Sequence, residues 1–163
     1  MIYIVDHKDS FTYNLVHLFS KFDQVCIANY SEVSYSKIET SKTIVLSPGP
    51  GAPEDYPATS RIYKKYKGIK KIIGICLGFQ QILHNENGTI VQQNKIYHGY
   101  QSKVKVLNTS SLFKKNKIFK VGRYHSLKLK EPFHSKETLI TMRCIETGVA
   151  MAFEDIINRV YGF

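Results

Sequence analysis

The stretch from Ile72 to Gln81, I-I-G-I-C-L-G-F-Q-Q, constrains the fold more than any other part of the chain. A β-branched apolar run ends at Cys76, with Gly74 two residues before it and Gly78 two residues after it. A helix-like segment, Phe79 to Asn85, follows. Strand, sharp turn and helix in that order form a nucleophile elbow, here with sulfur where the better-known form carries a serine oxygen. The flanking glycines fit a turn whose two arms approach too closely for Cβ atoms. A helix starting just behind Cys76 is expected to favour the thiolate, the reactive form of the side chain. The same residues also suit a cysteine buried in a sheet core, since free cysteine is among the most buried residue types.

The rest of the chain supplies a frame for such a turn. Ile2 to Val5 is a short apolar run closed by Asp6, which reads as a buried strand. Asp9 or Ser10 is placed to cap a helix from Phe11 to about Lys21, whose apolar positions Phe11, Leu15, Leu18 and Phe22 fall near helical spacing. Gln24–Ala28 and Thr43–Leu46 are further strand candidates, and the polar residues 31–42 between them carry no firm pattern. Pro57–Tyr66 reads as a helix leading into a strand from Lys71 to Ile75. Strands alternating with helices imply a parallel sheet built from βαβ units. Past residue 88 the pattern changes to short strands: Thr89–Val91, Lys103–Leu107, Lys120–Arg123, Thr138–Cys144, Val149–Phe153 and Arg159–Tyr161. These are expected to add antiparallel strands to one side of the sheet. The fold class is therefore α/β, an open and mostly parallel sheet flanked by helices, formed by residues 1–163 as a single domain.

One loop interrupts this alternation. Ser47-Pro48-Gly49-Pro50-Gly51-Ala52-Pro53 holds three prolines and two glycines in seven residues, which excludes helix and central strand. It sits at the carboxyl end of a strand, where open α/β sheets place their ligand sites. Its glycine N–H groups are candidate oxyanion donors, held in place by prolines that have no N–H of their own.

Composition narrows the partners. The net charge is +10, which raises the question of nucleic acid. The lysines are spread along the chain, with local clusters at Lys64-Lys65-Lys67, Lys70-Lys71 and Lys114-Lys115-Lys117. No zinc-finger, RNP or basic-zipper pattern accompanies them, so a solvated lysine-rich surface is the expectation and nucleic acid is not an expected partner. Three widely spaced cysteines, Cys26, Cys76 and Cys144, form no C-x-x-C pair, so neither a zinc ribbon nor a disulfide framework is indicated. With no membrane-length apolar run and no charged leader, a cytoplasmic location is expected.

Five motifs occur together and in order: D-S-F-T-Y-N-L (Asp9 to Leu15), L-S-P-G-P-G-x-P (Leu46 to Pro53), G-I-C-L-G-x-Q (Gly74 to Gln80), H-G (His98-Gly99) and R-Y-H-S-L (Arg123 to Leu127). The set resembles class I glutamine amidotransferases. It looks most like the small subunit (component II) of anthranilate synthase and its relative in para-aminobenzoate (4-amino-4-deoxychorismate) synthesis. The resemblance covers nearly the whole chain.

The resemblance implies that Cys76 attacks the glutamine side-chain amide to form a glutamyl thioester, releasing ammonia. It implies an oxyanion hole from the backbone N–H groups of Gly51 and Leu77. It implies glutamine contacts from Gly49, Pro50, Gly51 and Gln80, with the Ser126-Leu127 backbone holding the amino-acid end. Taken without the family, Gln80 reads better as a polar helix position and Ser126 better as an ordinary turn residue. The implied partner is the chorismate-aminating synthase large subunit (component I), to which ammonia passes. No metal or cofactor is implied in this subunit; magnesium is expected in the partner synthase.

Three departures from the family pattern stand out. Phe79 replaces the usual histidine after the second elbow glycine, which implies altered packing. Tyr100 replaces the usual lysine after H-G, which implies altered partner contacts. The family's base histidine and its orienting glutamate lie in a Q-F-H-P-E segment expected just beyond Phe163, so the resemblance implies a chain with the nucleophile but neither of those groups, nor the usual closing helix. Among His7, His17, His84, His98, His125 and His134 no substitute is evident; His84, eight residues past Cys76, lies roughly 12 Å further along a helix axis. The expectation is very low glutaminase activity and self-association through exposed sheet surface. Two other classes remain: a degenerate amidotransferase serving as a non-catalytic binding subunit, and a different cysteine hydrolase on a related fold. The proline-glycine loop and R-Y-H-S-L argue against the second.

Overall fold

The computed structural model describes residues 1–97 and 99–163. Its centre is a nine-stranded sheet. The strands in chain order are β1 (Ile2–Asp6), β2 (Val25–Asn29), β3 (Thr43–Leu46), β4 (Lys71–Gly74), β5 (Ile90–Gln92), β6 (Tyr100–Val106), β7 (Ile118–Arg123), β8 (Leu127–Leu129), β9 (Leu139–Cys144), β10 (Ala150–Asp155) and β11 (Val160–Gly162). The helices are α1 (Thr12–Phe19), α2 (Tyr35–Thr40), α3 (Pro57–Tyr66) and α4 (Leu77–Asn85), with a 3-10 turn at Pro53–Asp55. The sheet order is β2-β1-β3-β4-β11-β10-β9-β6-β7. From β2 through β11 neighbouring strands are parallel; from β11 onward they are antiparallel. The expected antiparallel addition on one side of a parallel sheet is therefore present.

The core follows from strand periodicity. Tyr3 and Val5 face one side of β1 and pack with Ile38, Ile62, Tyr63, Tyr66, Ile82 and Leu83, the inner faces of α2, α3 and α4. Ile2 and Ile4 face the other side, where Leu15, Val16 and Phe19 of α1 cover them. On the antiparallel half, Val104, Val106, Met142 and Ala152 form a separate cluster.

The structure departs from the sequence reading in four places. Residues 31–42 contain α2, capped by the Ser34 hydroxyl, which accepts from the Lys37 N–H. Its one fully buried side chain, Ile38, is too little for a periodic signal. The segment around Thr89–Val91 does not join the large sheet; among the described residues β5 pairs only with β8, a strand that starts at the last residue of R-Y-H-S-L. Helix α1 is shorter than expected, and its entry is an Asx turn in which Asp9 accepts from the Phe11 N–H at 2.8 Å, without a side-chain cap. Helix α4 begins earlier, at Leu77, directly behind the cysteine.

Candidate active site

The site is built where β4 ends in the middle of the sheet. Cys76 adopts φ 53° and ψ −101°, a left-handed turn that a non-glycine residue enters only under constraint. The constraint is visible on each side. The Ile75 N–H donates to Leu46 O on β3, and the Cys76 N–H donates to Phe163 O, next to β11. The glycines permit the close approach: a Cβ on Gly74 would stand 2.4 Å from Gly78 O, and one on Gly78 would stand 2.2 Å from Leu46 O. The chain therefore passes from strand to helix within the space of the missing side chains.

The environment of the thiol differs from the sequence expectation. Burial pushes the Cys76 thiol up from its ordinary value, and the nearby Asp9 charge adds to this; a hydrogen bond from the Leu77 N–H opposes it. Burial wins over the helix N-terminus, so the resting side chain is the neutral thiol and not the expected thiolate.

The proline-glycine loop is braced from below. His7 is fully buried. Its backbone N–H donates to the Ser47 hydroxyl, its Nδ1 lies 3.1 Å from Ser47 O, and its Nε2 lies 2.8 Å from the Thr59 hydroxyl. Gly49 passes so near that a Cβ there would stand 2.5 Å from His7 Cβ. Tyr56 donates to Pro50 O at 2.7 Å, and buried Gln81 on α4 donates to Pro53 O at 2.8 Å. Burial lowers the pKa of His7 to about 4, so at neutral pH it is an uncharged structural bracket.

A cavity of about 500 Å³ opens at Cys76. Of the residues expected at the site, Gly49, Cys76, Gln80 and Leu127 line it together. Pro50, Gly51, Leu77 and Ser126 adjoin these along the chain but do not line the cavity wall. Gly51 is exposed at φ +76°, and its N–H meets no backbone acceptor among the described residues. Gln80 is buried on the first turn of α4, where its N–H closes on Cys76 O at 3.1 Å. The Phe79 ring packs against Phe153, with ring centres 5.4 Å apart. Tyr100 is half exposed and meets Tyr97 edge to face. His98 lies outside the described residues.

Two further histidines are committed to other contacts. His125 lines the cavity, but its Nδ1 is 2.7 Å from Leu127 O and its Nε2 accepts from Arg123 Nε at 3.1 Å. Burial and the Arg123 charge lower its pKa. His84 faces Glu54 at 3.4 Å. Sequence reasoning assigned Asp9 only a helix-capping role and His7 only a place among the candidate bases, and it did not single out Tyr56, Gln81 or the surroundings of Arg123, because each acts through contacts between segments distant in sequence.

An open α/β sheet with a cysteine held in a left-handed turn between a central strand and the following helix, beside a proline-glycine loop, defines a cysteine-elbow class of α/β proteins. Residues 3–163 match the family described as glutamine amidotransferase class-I. The chain belongs to that family. It is 33% identical over 166 residues to anthranilate synthase component 2 of Lactococcus lactis subsp. lactis, covering 99% of this chain and 83% of that protein. It is 32% identical over 170 residues to anthranilate synthase component 2 of Cyanidium caldarium, covering 100% of this chain and 85% of that protein. The crystal structure of a glutamine amidotransferase from Thermotoga maritima superposes with a TM-score of 0.74 at 15% identity, covering 99% of this chain and 73% of the other, a likeness of fold. Among the described residues no helix is long and apolar enough to cross a membrane, and no group of three or more His, Cys, Asp or Glu side chains is arranged to hold a metal.

Proposed function

We propose that this glutamine amidotransferase chain is the glutamine-binding subunit of a chorismate-aminating synthase, with Cys76 as nucleophile. The observation that carries the reading is the cysteine in its left-handed turn, opening into a cavity shared with Gly49, Gln80 and Leu127. In the proposed reaction Cys76 Sγ forms a bond to the side-chain amide carbon of glutamine as the thiol proton leaves. The amide oxygen takes up the charge, and the Leu77 and Gly51 N–H groups are its donors; one such donor is worth about 3–4 kcal/mol in comparable sites. The C–N bond then breaks, the nitrogen leaves as ammonia with the added proton, and water cleaves the thioester to glutamate. Gly49, Pro50, Gly51 and Gln80 contact the substrate, and the Ser126-Leu127 backbone receives the amino-acid end. The names of the relatives favour the anthranilate, tryptophan-forming branch over para-aminobenzoate and folate. Component I is the partner, and magnesium belongs to that partner. A cytoplasmic setting and self-association through exposed sheet surface are parts of the same proposal.

A second reading, a binding subunit with little chemistry of its own, is favoured by one observation. The thiol is raised, and both nitrogens of His125, a histidine on the cavity wall, are committed to hydrogen bonds. A neutral thiol whose neighbouring histidine is committed in this way acylates and deacylates slowly. These 163 residues are therefore expected to bind glutamine and to hydrolyse it far more slowly than ordinary enzymes. Treatment with a chloroketone or diazoketone analogue of glutamine tests both levels. Labelling at Cys76 that glutamine blocks supports the glutamine site. Labelling at Cys26 or Cys144 instead, or no protection by glutamine, overturns it. Turnover at ordinary enzymatic rates by this chain with its synthase overturns the low-activity expectation.

A further inference from the structure

Behind the cavity wall lies a buried polar assembly. Arg123, at the end of β7, is 1% exposed, yet no carboxylate among the described residues pairs with it. Its partners are neutral. Nη2 donates to Gln93 Oε1 at 2.9 Å, Nε donates to His125 Nε2 at 3.1 Å, and Nη1 reaches the Cys144 sulfur at 3.5 Å. The guanidinium lies 3.8 Å above the centre of the Tyr97 ring. A buried arginine costs several kcal/mol in desolvation unless its donors are satisfied, so this set of partners has to be held in place.

These contacts orient the whole set. Arg123 occupies Gln93 Oε1, which turns the Gln93 Nε2 donor toward His125 O at 3.1 Å and Leu127 O at 3.2 Å. Arg123 also donates to His125 Nε2, which leaves the ring hydrogen on Nδ1, where it donates to Leu127 O at 2.7 Å. The Gln93 backbone N–H takes Ser126 O at 2.7 Å. Three consecutive carbonyls, of residues 125, 126 and 127, are thus captured from behind by one network. The Ser126 N–H, by contrast, meets no acceptor among the described residues.

We infer that Arg123, Gln93 and His125 are positioning residues that hold the Ser126-Leu127 backbone as the edge receiving the amino-acid end of glutamine. This rests on the glutamine reading above. The network fixes the segment by its carbonyls, and the Ser126 N–H is left for a ligand. The buried Arg123 charge, lacking a carboxylate of its own, also biases this wall toward a ligand that carries one, as an α-amino acid does. The expected effect falls on substrate affinity and not on the reactivity of the thiol.

The decisive variant is Gln93→Glu. It keeps an acceptor for Arg123, gaining a charged partner, but loses the amide donor to the carbonyls of residues 125 and 127. It should therefore fold at least as stably as the parent while its Ser126-Leu127 edge is released. Two rates of Cys76 modification are compared, one with the glutamine-analogue ketone and one with iodoacetamide, together with the glutamine concentration that half-protects against the ketone. The expected result is at least a tenfold higher half-protecting concentration and an unchanged iodoacetamide rate. Arg123→Met should move the same two quantities in the same way. Equal protection of Gln93→Glu and the parent overturns the positioning role, as does an equal loss with both reagents, which marks a general structural effect. A parent chain that glutamine does not protect overturns the glutamine reading itself.

Discussion

His7 shows how one side chain ties the site to acidity. Buried beneath Gly49 and bound to Ser47 and Thr59, it has a pKa lowered to about 4 by loss of solvent, with Ser47 and Asp6 pulling weakly the other way. In the unfolded chain its pKa returns to about 6.5. Between those values the unfolded state binds the extra proton, so stability is fully present above pH 6.5 and is lost as pH falls toward 4. The full loss is about 3 kcal/mol, since each tenfold drop in proton affinity is worth about 1.4 kcal/mol. A His7→Gln variant keeps a donor and acceptor but has no proton to gain. Urea unfolding from pH 7 to pH 4 should show the parent losing stability faster than the variant, so that the two curves converge; parallel curves would mean that His7 is not held neutral. Cys76 illustrates the same limit on reading a sequence. Its position between two glycines was legible from ten residues, but its protonation was not. The helix N-terminus is visible in the sequence, whereas the burial that outweighs it comes from β3, β11 and the loop.

At the scale of elements, the elbow depends on contact between β4, α4 and β3. Gly78 is where α4 touches the backbone of β3, and an added methyl would have to displace Leu46 O and Leu46 Cβ, the latter 2.8 Å away. Neither is the free end of a flexible chain, so the helix itself must move. Gly78→Ala is expected to cost about 3 kcal/mol, measured by urea unfolding, and to change Cys76 modification rates, since the first turn of α4 carries Leu77 and Gln80. A variant as stable as the parent would mean that α4 can slide on the sheet. Most elements were legible for the reasons that make them stable. β1 and β3 are short β-branched runs, and α3 opens with Pro57 and repeats its buried residues at Thr59, Ile62, Tyr63 and Tyr66. The elements missed had no local signal. α2 buries only Ile38, and among the described residues β8 has no partner except the three-residue β5. The motif R-Y-H-S-L was legible as a motif, but the function of its arginine was not, because Gln93 and Tyr97 reach it from another segment.

For the molecule as a whole, the question is what ties the parallel half to the antiparallel half at the end of the sheet away from the site. One cation does much of this. Lys67, just past α3, lies 2.8 Å from Glu86 beyond α4, 3.3 Å from Glu137 ahead of β9 and 3.8 Å from Asp155 at the end of β10. Tyr63 adds a hydrogen bond to Glu86, and Asn158 bridges Glu137 and Asp155. Burial alone would lower the Lys67 pKa, but the Glu86 hydrogen bond and the surrounding carboxylates outweigh it and raise it. Removing the cation leaves three carboxylates facing one another, of which Asp155 is fully buried. A fully buried pair broken in this way costs about 3–5 kcal/mol; because Lys67 and Glu137 are partly exposed and screened, about 2 kcal/mol is expected for Lys67→Ala. Unfolding should remain a single transition if the two halves act as one unit. A variant with the parent's urea midpoint at pH 7 would show that the sheet alone joins the halves. A second transition would show that Lys67 was what made them cooperative.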